Sequence, residues 1–235
     1  MGNCNNCCTE TQKVEEFVQC KELHPILGQS QEKDQHAPSP NLAKLAKTMN
    51  KESPEVTKVL KYSPDFNQRL LDGQDPTLPV LGPYKYPDGA TYIGQYRDGL
   101  RSGRGKEITK DGSVYEGFWE LDLRNGFGRL IHQDGDIYEG DWVGDKATGK
   151  GRYTHTDGTV YEGNWVGDQL DGFGKQIWAD GSVYEGEFWE GLKHGFGKFN
   201  WNDRSSYEGY LKMDYLEGEG IEKLGQGLRI FFCLC

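Results

Sequence analysis

The sequence has no cysteine between residues 21 and 232, no apolar run long enough to span a membrane as a helix, and fewer basic than acidic residues. A disulfide framework would place cysteines inside the folded part, so this gap indicates a reducing compartment. Lys and Arg total 27 against 37 Asp and Glu, a net charge of −10, which argues against a nucleic-acid partner. The start of the sequence lacks the apolar segment of a secretory signal, so no such signal is predicted.

Apolar residues are also scarce, at 35%, yet the chain contains 6 Trp, 13 Tyr and 10 Phe. The glycines and the tryptophans concentrate in the second part: 29 of the 33 glycines follow residue 83 and all six tryptophans follow residue 100. A chain this rich in large rings can form a packed core, so disorder throughout is excluded.

A repeat of 23 residues runs through this second part. Counted from each repeat tyrosine as position 0, glycine recurs at +2, +11 and +13, an aromatic residue at +4 and an Asp-Gly pair at +19/+20. The residues that define the repeat are Tyr92, Tyr115, Trp119, Tyr138, Trp142, Tyr161, Trp165, Tyr184 and Tyr207. The sixth unit departs from the pattern because Leu211 replaces the aromatic residue, as expected at the end of an array.

The segment from Tyr161 to Trp165, followed by Gly172, Gly174 and the pair Asp180-Gly181, resembles the MORN repeat (membrane occupation and recognition nexus). The resemblance covers residues 82–225. It implies a mostly β fold: an elongated, single-layer antiparallel β-meander of about six hairpin repeats, preceded by a short helical or irregular N-terminal segment.

The spacing also predicts a register. Alternation places +0, +2 and +4 on one face of a strand, and pairing +2 with +13 and +4 with +11 sets each ring over bare glycine backbone. The same register pairs Glu at +1 with Lys or Arg at +14, as in Glu116 with Arg129. A three-residue loop such as Lys110-Asp111-Gly112 keeps successive hairpins in phase, which gives about twelve strands.

Residues 1–81 contain few glycines, and their organisation is predicted from prolines and apolar spacing. We expect an acylation signal and a short amphipathic helix in residues 1–24, a linker in 25–40 and short helices in 41–81. The array follows at 82–225 and an apolar tail at 226–235. The reverse face of the sheet carries an apolar stripe, formed by isoleucines at +16 (Ile108, Ile131, Ile177) and by valines and Ile137 at +22. Because this stripe would otherwise be exposed, we expect residues 41–71 to pack on or beside the array. A dimer partner or another target could cover this stripe instead.

The first eight residues resemble an N-myristoylation signal followed by palmitoylation sites. Gly2 would carry the myristoyl group, and Cys4, Cys7 and Cys8 would supply the second anchor that stable membrane binding requires. Asn6 stands where Ser or Thr is usual. Two alternatives remain for these cysteines. Cys4, Cys7 and Cys8 could form a zinc site with Cys20, or all four could be unmodified thiols. Cys233 and Cys235 fit an apolar terminal strand or thiol pair, or a further lipid site.

Phe127, Phe173 and Phe196 occupy position +12, which the register places on the reverse face beside charged residues. Aromatic side chains among charges are typical of a surface that binds proteins. The alternative is that loops between +5 and +10 cover them.

No catalytic motif, cofactor-binding loop or metal-ligand spacing stands out, so we predict no enzyme activity, no cofactor and no metal. The resemblance implies a membrane-tethered scaffold that binds protein partners, as cytoskeletal, ciliary or membrane-junction organisers do, on the cytoplasmic face of a membrane. A homodimer is possible. The alternative function is phospholipid or phosphoinositide binding through the repeats, which the acidic charge of the array disfavours.

Overall fold

The computed structural model describes residues 75–224 and the strand at 229–233, and residues 1–74 lie outside this part. The described residues form one antiparallel sheet of fourteen strands in which each strand pairs with its neighbours in the chain. The strands are β1 Val80–Lys85, β2 Thr91–Arg97, β3 Leu100–Ile108, β4 Val114–Glu120, β5 Leu123–Ile131, β6 Ile137–Val143, β7 Lys146–Thr154, β8 Val160–Val166, β9 Gln169–Ile177, β10 Val183–Trp189, β11 Leu192–Asn200, β12 Ser206–Lys212, β13 Tyr215–Lys223 and β14 Arg229–Cys233.

This architecture confirms the predicted single-layer meander. Six hairpins, β2–β3 to β12–β13, correspond to the six repeats, and the sheet extends about 60 Å at ~4.8 Å per strand. The predicted number of about twelve strands is too low because β1 and β14 add one strand at each end. The predicted helix of residues 1–24 and the helices predicted in 41–81 lie outside the described part up to residue 74, and residues 75–81 form a turn and the start of β1.

Most of the predicted register is confirmed. Gly117 pairs with Gly128 and Glu116 with Arg129, and the other repeats follow the same scheme. Between hairpins, Ile108 pairs with Val114 and the Thr109 N–H bonds to the Ser113 carbonyl, leaving Lys110-Asp111-Gly112 as the loop. Gly112 has a φ of 95°, the left-handed conformation that such a loop requires.

The predicted pairing of +4 with +11 inside each hairpin is wrong. Trp119 pairs with Arg124 at +9, because the register shifts between Gly117 and Trp119. The glycine at +11 takes a positive φ, 91° at Gly126, and forms the bulge. That glycine instead pairs with the +4 residue of the following repeat, as Gly126 does with Trp142. The large ring therefore still lies beside bare backbone, but it belongs to the next hairpin.

The loops predicted between +5 and +10 are also shorter than expected. Each hairpin closes in a two-residue turn at +6 and +7, for example Leu121-Asp122 between the paired residues Glu120 and Leu123. Both turn residues have positive φ, 49° at Leu121 and 70° at Asp122, as a type I′ turn requires. Turns this short leave the reverse face of the described sheet without a covering loop.

Leu121 is an unfavourable residue for this turn, because the left-handed conformation costs free energy for a leucine. Its side chain is 61% exposed, so packing does little to offset that cost. We expect Leu121→Asn to raise the free energy of unfolding by about 1 kcal/mol, because asparagine tolerates this conformation. Urea denaturation checks the prediction. Leu123→Asn, an exposed position of ordinary strand geometry, is the control and should bring no gain; equal effects of the two changes would contradict the explanation.

Candidate functional site: the two faces of the repeat sheet

The tyrosine face, defined here as the face that carries the repeat tyrosines, is a closed core. All nine repeat-defining rings are at most 7% exposed and belong to one cluster. Tyrosines and tryptophans of successive repeats alternate edge to face: the Trp142 ring centroid lies 5.3 Å from that of Tyr115 and 5.1 Å from that of Tyr138. These residues therefore build the sheet and offer little surface to a ligand.

The repeat tyrosine explains the two glycines beneath it. The Tyr115 hydroxyl donates to the carbonyl of Phe118 at 3.0 Å, which holds the ring flat over Gly117 and Gly128. A Cβ atom at Gly128 would lie 2.6 Å from ring atoms of Tyr115. Tyr161 differs, since its hydroxyl accepts a hydrogen bond from the Gln176 amide at 2.8 Å, and the atoms nearest to a Cβ at Gly174 belong to Phe188 and Glu162.

An aspartate at +7 joins successive repeats, a role that sequence reasoning missed. The Asp145 carboxylate accepts a hydrogen bond from the Arg124 N–H at 2.8 Å, and the Asp145 N–H donates to the Arg124 carbonyl at 3.0 Å. The same double contact recurs at Asp122, Asp168 and Asp214. The recurrence of Asp at +7 in four of six repeats was the available signal.

The basic residues on the tyrosine face are engaged with the core. Arg101 is 5% exposed, lies 4.1 Å above the Trp119 ring and pairs with Glu107 at 2.6 Å. Arg124 contacts the second oxygen of Glu107 at 3.0 Å. These cations already have a buried carboxylate and aromatic faces as partners, which disfavours binding of an anionic headgroup by Arg101 and Arg124.

Asp136 is a polar junction at one end of the strands. One carboxylate oxygen accepts hydrogen bonds from the Tyr153 hydroxyl at 3.0 Å and contacts His155 Nδ1 at 2.8 Å, and the other accepts from the Thr156 N–H at 2.9 Å. Burial acts to raise the pKa of Asp136, but the hydrogen bonds and the His155 charge outweigh it and lower the pKa below the ordinary value of 3.8.

This lowered pKa predicts a pH-dependent contribution to stability. A carboxyl group whose pKa is lower in the folded state stabilises the fold above the unfolded pKa, and that stabilisation is lost as the pH falls through the folded pKa. We therefore expect Asp136→Asn to lower Tm at about pH 5 and the difference from wild type to close towards about pH 2.5. Thermal unfolding followed by circular dichroism across this range is the measurement. Parallel Tm curves would contradict the assignment.

The outer face, opposite the tyrosine face, carries the predicted ladder of charges. Glu116 lies between two bases, 3.4 Å from Lys106 of the preceding repeat and 3.0 Å from Arg129 of its own. The ladder continues with Arg129–Glu139, Lys175–Glu185 and Lys198–Glu208. Cross-strand pairs of this kind each contribute about 0.2–1 kcal/mol to the stability of the sheet. We therefore interpret these glutamates as residues that stabilise strand pairing.

The three phenylalanines predicted to bind partners lie on the outer face but differ in exposure. Phe173 is 62% exposed and Phe196 is 44% exposed, whereas Phe127 is half-buried. Tyr210, which sequence reasoning missed, is 54% exposed, and its ring centroid lies 5.4 Å from that of Phe196. Tyr210 occupies +3, where earlier repeats have Gln95, Phe118, Asp141, Asn164 and Glu187, so no recurrent pattern pointed to it.

The predicted lipidation residues Gly2, Cys4, Cys7 and Cys8 lie outside the described residues. Within residues 75–224 and 229–233, no three His, Cys, Asp or Glu side chains are grouped as metal ligands. No helix of sufficient length and apolar character to cross a membrane occurs in the same part of the chain.

The repeat itself is recognised by comparison with known families. The MORN repeat matches residues 92–114, 115–137, 138–160, 161–183 and 184–206. The chain carries five consecutive MORN repeats. The sixth hairpin, β12–β13, lies beyond the match but keeps the MORN register, with Gly209 paired to Gly220. These repeats form a scaffold module.

Other comparisons give weaker likenesses. The TCP domain of SAS-4 (dCPAP) from Drosophila melanogaster, solved in complex with a proline-rich motif of Ana2 (dSTIL), is 16% identical over 56% of this chain and 78% of that chain, with a TM-score of 0.34. The TCP10 domain of Danio rerio CPAP is 16% identical over 67% of this chain and 100% of that chain, with a TM-score of 0.23. No curated protein matches this chain.

Proposed function

We propose that this MORN protein is a non-enzymatic scaffold that is tethered to the cytoplasmic face of a membrane through acyl groups and binds a protein partner with the outer face of its sheet. The observation that carries the proposal is the open patch, defined here as Phe173, Phe196 and Tyr210 on strands β9, β11 and β12. The cytoskeletal or ciliary setting that the MORN resemblance implies stays a prediction.

The open patch has the composition of a binding surface. Its three rings are between 44% and 62% exposed, although the same sheet buries its repeat aromatics almost completely. Phe196 and Tyr210 are paired on neighbouring strands, and their rings pack edge to face. This contact restricts the orientations of both rings in the absence of a partner. Preordered aromatic side chains supply binding energy at a low cost in conformational entropy.

The charges beside the open patch restrict the partner. Glu187 pairs with Phe173 across the strands and is exposed, and Glu219 is exposed on β13. The nearby bases Lys175 and Lys198 already have carboxylate partners in the ladder. An acidic rim around aromatic rings favours a partner segment that combines apolar side chains with Lys or Arg, and disfavours an anionic membrane.

Comparative affinity capture tests the open patch. We expect Phe173→Ser/Phe196→Ser/Tyr210→Ser to lose proteins that the wild-type full chain retains. The control is Val143→Ser/Val166→Ser, since these hairpin-end side chains are similarly exposed, at 59% and 58%. Circular dichroism must show that both variants keep the sheet. Identical sets of captured proteins from the patch variant and the control would contradict the proposal.

Membrane tethering is tested separately by fractionation of cells. We expect Gly2→Ala to move the protein from membranes to the soluble fraction, because one myristoyl chain and the palmitoyl groups act together. Cys4→Ser/Cys7→Ser/Cys8→Ser should weaken attachment, and Cys20→Ser serves as the cysteine control. Continued membrane attachment of Gly2→Ala would contradict acyl tethering.

The lipid-binding alternative has its own measurement. The full chain made without acylation is mixed with phosphatidylcholine vesicles, with and without a phosphoinositide, and floated on a gradient. We expect no phosphoinositide-dependent flotation, because residues 84–235 contain 26 acidic and 18 basic residues, a net charge of −8 that an anionic headgroup does not favour. Flotation that requires the phosphoinositide would favour lipid recognition by the repeats over the scaffold function.

A further inference from the structure

Glu187 is an exposed carboxylate in the middle of the open patch. It lies on β10, opposite Phe173 of β9 and opposite His194 of β11. Its side chain extends over the bare backbone of Gly195, because Glu187 Oε2 is the atom nearest to the place that a Cβ at Gly195 would take. Phe196 follows Gly195, so one exposed ring lies on the strand to either side of the carboxylate.

A third ring borders this carboxylate on the side of the hairpin turn. Trp189 is two residues beyond Glu187 on β10, which places both side chains on the outer face. The Trp189 indole is 46% exposed, and its ring centroid lies 5.4 Å from that of His194. Within the described residues His194 Nδ1 has no hydrogen-bond partner, so this atom does not hold the carboxylate.

The other repeats use position +3 differently. In three of them the polar side chain at +3 is bonded to the backbone of the +12 residue of the same repeat. These bonds join Gln95 to the Arg104 N–H at 2.8 Å, Asp141 to the Lys150 N–H at 3.1 Å and Asn164 to the Phe173 carbonyl at 3.1 Å. The Glu187 carboxylate has neither such a bond nor an ion pair in the described part of the chain, so it is available to a ligand.

The neighbours of Glu187 provide rings but no cation. Asp141, the other carboxylate at +3, has Lys150 at +12 of its own repeat, whereas Glu187 has phenylalanine at the +12 positions on both sides. The ladder lysines of β9 and β11 are already paired, Lys175 with Glu185 at 2.5 Å and Lys198 with Glu208 at 3.8 Å. A binding partner can therefore supply the positive charge that the described sheet does not place beside Glu187.

We infer that Glu187, Phe173 and Phe196 bind an arginine side chain of the protein partner, which deepens the proposed function of the open patch and rests on it. A guanidinium group donates two parallel hydrogen bonds to a carboxylate and also stacks on aromatic faces. A lysine ammonium is more strongly hydrated and has no flat face, so rings on both sides of the carboxylate favour arginine. Glu187 then selects the partner sequence, and the rings supply apolar contact area.

Peptide selection on the full chain tests this preference without knowledge of the natural partner. A phage-displayed library of random dodecapeptides is selected in parallel on the wild-type chain and on Glu187→Gln. We expect the wild type to enrich arginine beside apolar residues, and Glu187→Gln to retain the apolar residues and lose arginine. The control Glu162→Gln removes another exposed carboxylate of the outer face, on β8, and should enrich arginine as the wild type does. Circular dichroism checks that each variant keeps the sheet.

A double-variant cycle identifies the interacting pair. The best arginine peptide is synthesised with arginine or with citrulline, which has nearly the same shape but no charge, and its Kd is measured by fluorescence anisotropy. Citrulline should weaken binding to the wild type about 10-fold and should change binding to Glu187→Gln much less. Equal losses on both chains would overturn the inference, and so would enrichment of lysine in place of arginine.

The same peptides separate a failure of this inference from a failure of the open patch. Peptides that do not bind Phe173→Ser/Phe196→Ser/Tyr210→Ser, but that require no arginine, would overturn the arginine site and leave the open patch in place. If no selected peptide needs the three rings, the open patch itself is contradicted, and the arginine site with it.

Discussion

Gly128→Ala is expected to lower the free energy of unfolding by about 3 kcal/mol, at the upper end of the range for overpacking a core. A Cβ atom at Gly128 would lie 2.6 Å from Cε2 and Cζ of Tyr115. The Tyr115 ring cannot move aside easily, because it is 0% exposed, its hydroxyl is bonded to the Phe118 carbonyl and Trp142 packs against it. Urea denaturation of the full chain measures the loss.

The repeats themselves contain the matched control. Gly174 occupies the same +13 position, but the nearest atoms to a Cβ there are Phe188 Cε2 at 3.2 Å and the Glu162 carbonyl oxygen at 3.3 Å. We expect Gly174→Ala to cost less than about 1 kcal/mol, since alanine also relieves the entropic cost of glycine in a strand. Equal losses at the two positions would show that the overlying tyrosine is not the reason for glycine at +13.

A double variant separates ring overlap from other effects of the added methyl group. Tyr115→Ala removes the ring and is itself destabilising, but Gly128→Ala should then add much less than it does in the wild-type background. The expected coupling between these two contacting residues exceeds about 1 kcal/mol. Additive losses would place the strain elsewhere, for example in the strand pairing with Gly117.

The sequence predicted those features of the sheet that recur with the 23-residue period. Glu116 opposite Arg129 and Gly117 opposite Gly128 follow from two independent patterns that agree on one register. The bulge at Gly126 was not predictable in the same way. Shifting a strand by two residues leaves every side chain on its original face, so pairing Trp119 with +9 or with +11 satisfies the same alternation.

The functional surface was less predictable because it depends on differences between repeats. A shared +12 position placed Phe127, Phe173 and Phe196 in one row, but their exposures differ since only part of the outer face is open. Tyr210 joins the open patch from a position that holds another residue in each earlier repeat. The two-residue turns were obscured for a related reason. Asp98-Gly99, Gly144-Asp145 and Gly167-Asp168 have the pairs that mark a type I′ turn, but the other three repeats have Leu121, Glu190 and Met213 at +6.

Trp142→Ala is expected to have the second large effect, a loss of about 4 kcal/mol in the free energy of unfolding. The indole is 1% exposed, its Nε1–H donates to the Gly128 carbonyl at 3.2 Å, and the Tyr115 and Tyr138 rings pack against it. It therefore joins one repeat to the preceding one, and its removal leaves a cavity and removes a side-chain hydrogen bond at that boundary. Trp189→Ala on β10 is the control, since Trp189 is 46% exposed and should cost less than about 1 kcal/mol.

The position of the loss within the array distinguishes a boundary effect from general weakening. In a repeat array each unit is stabilised mainly by its neighbours, so a damaged boundary weakens strand pairing on both sides before it affects distant units. Hydrogen exchange in Trp142→Ala should accelerate first in β4–β7, whereas β10–β13 should keep more of their protection. Uniform acceleration along all fourteen strands would instead mean that the sheet unfolds as a single cooperative unit, and the stacked rings would then stabilise the array as a whole rather than one boundary at a time.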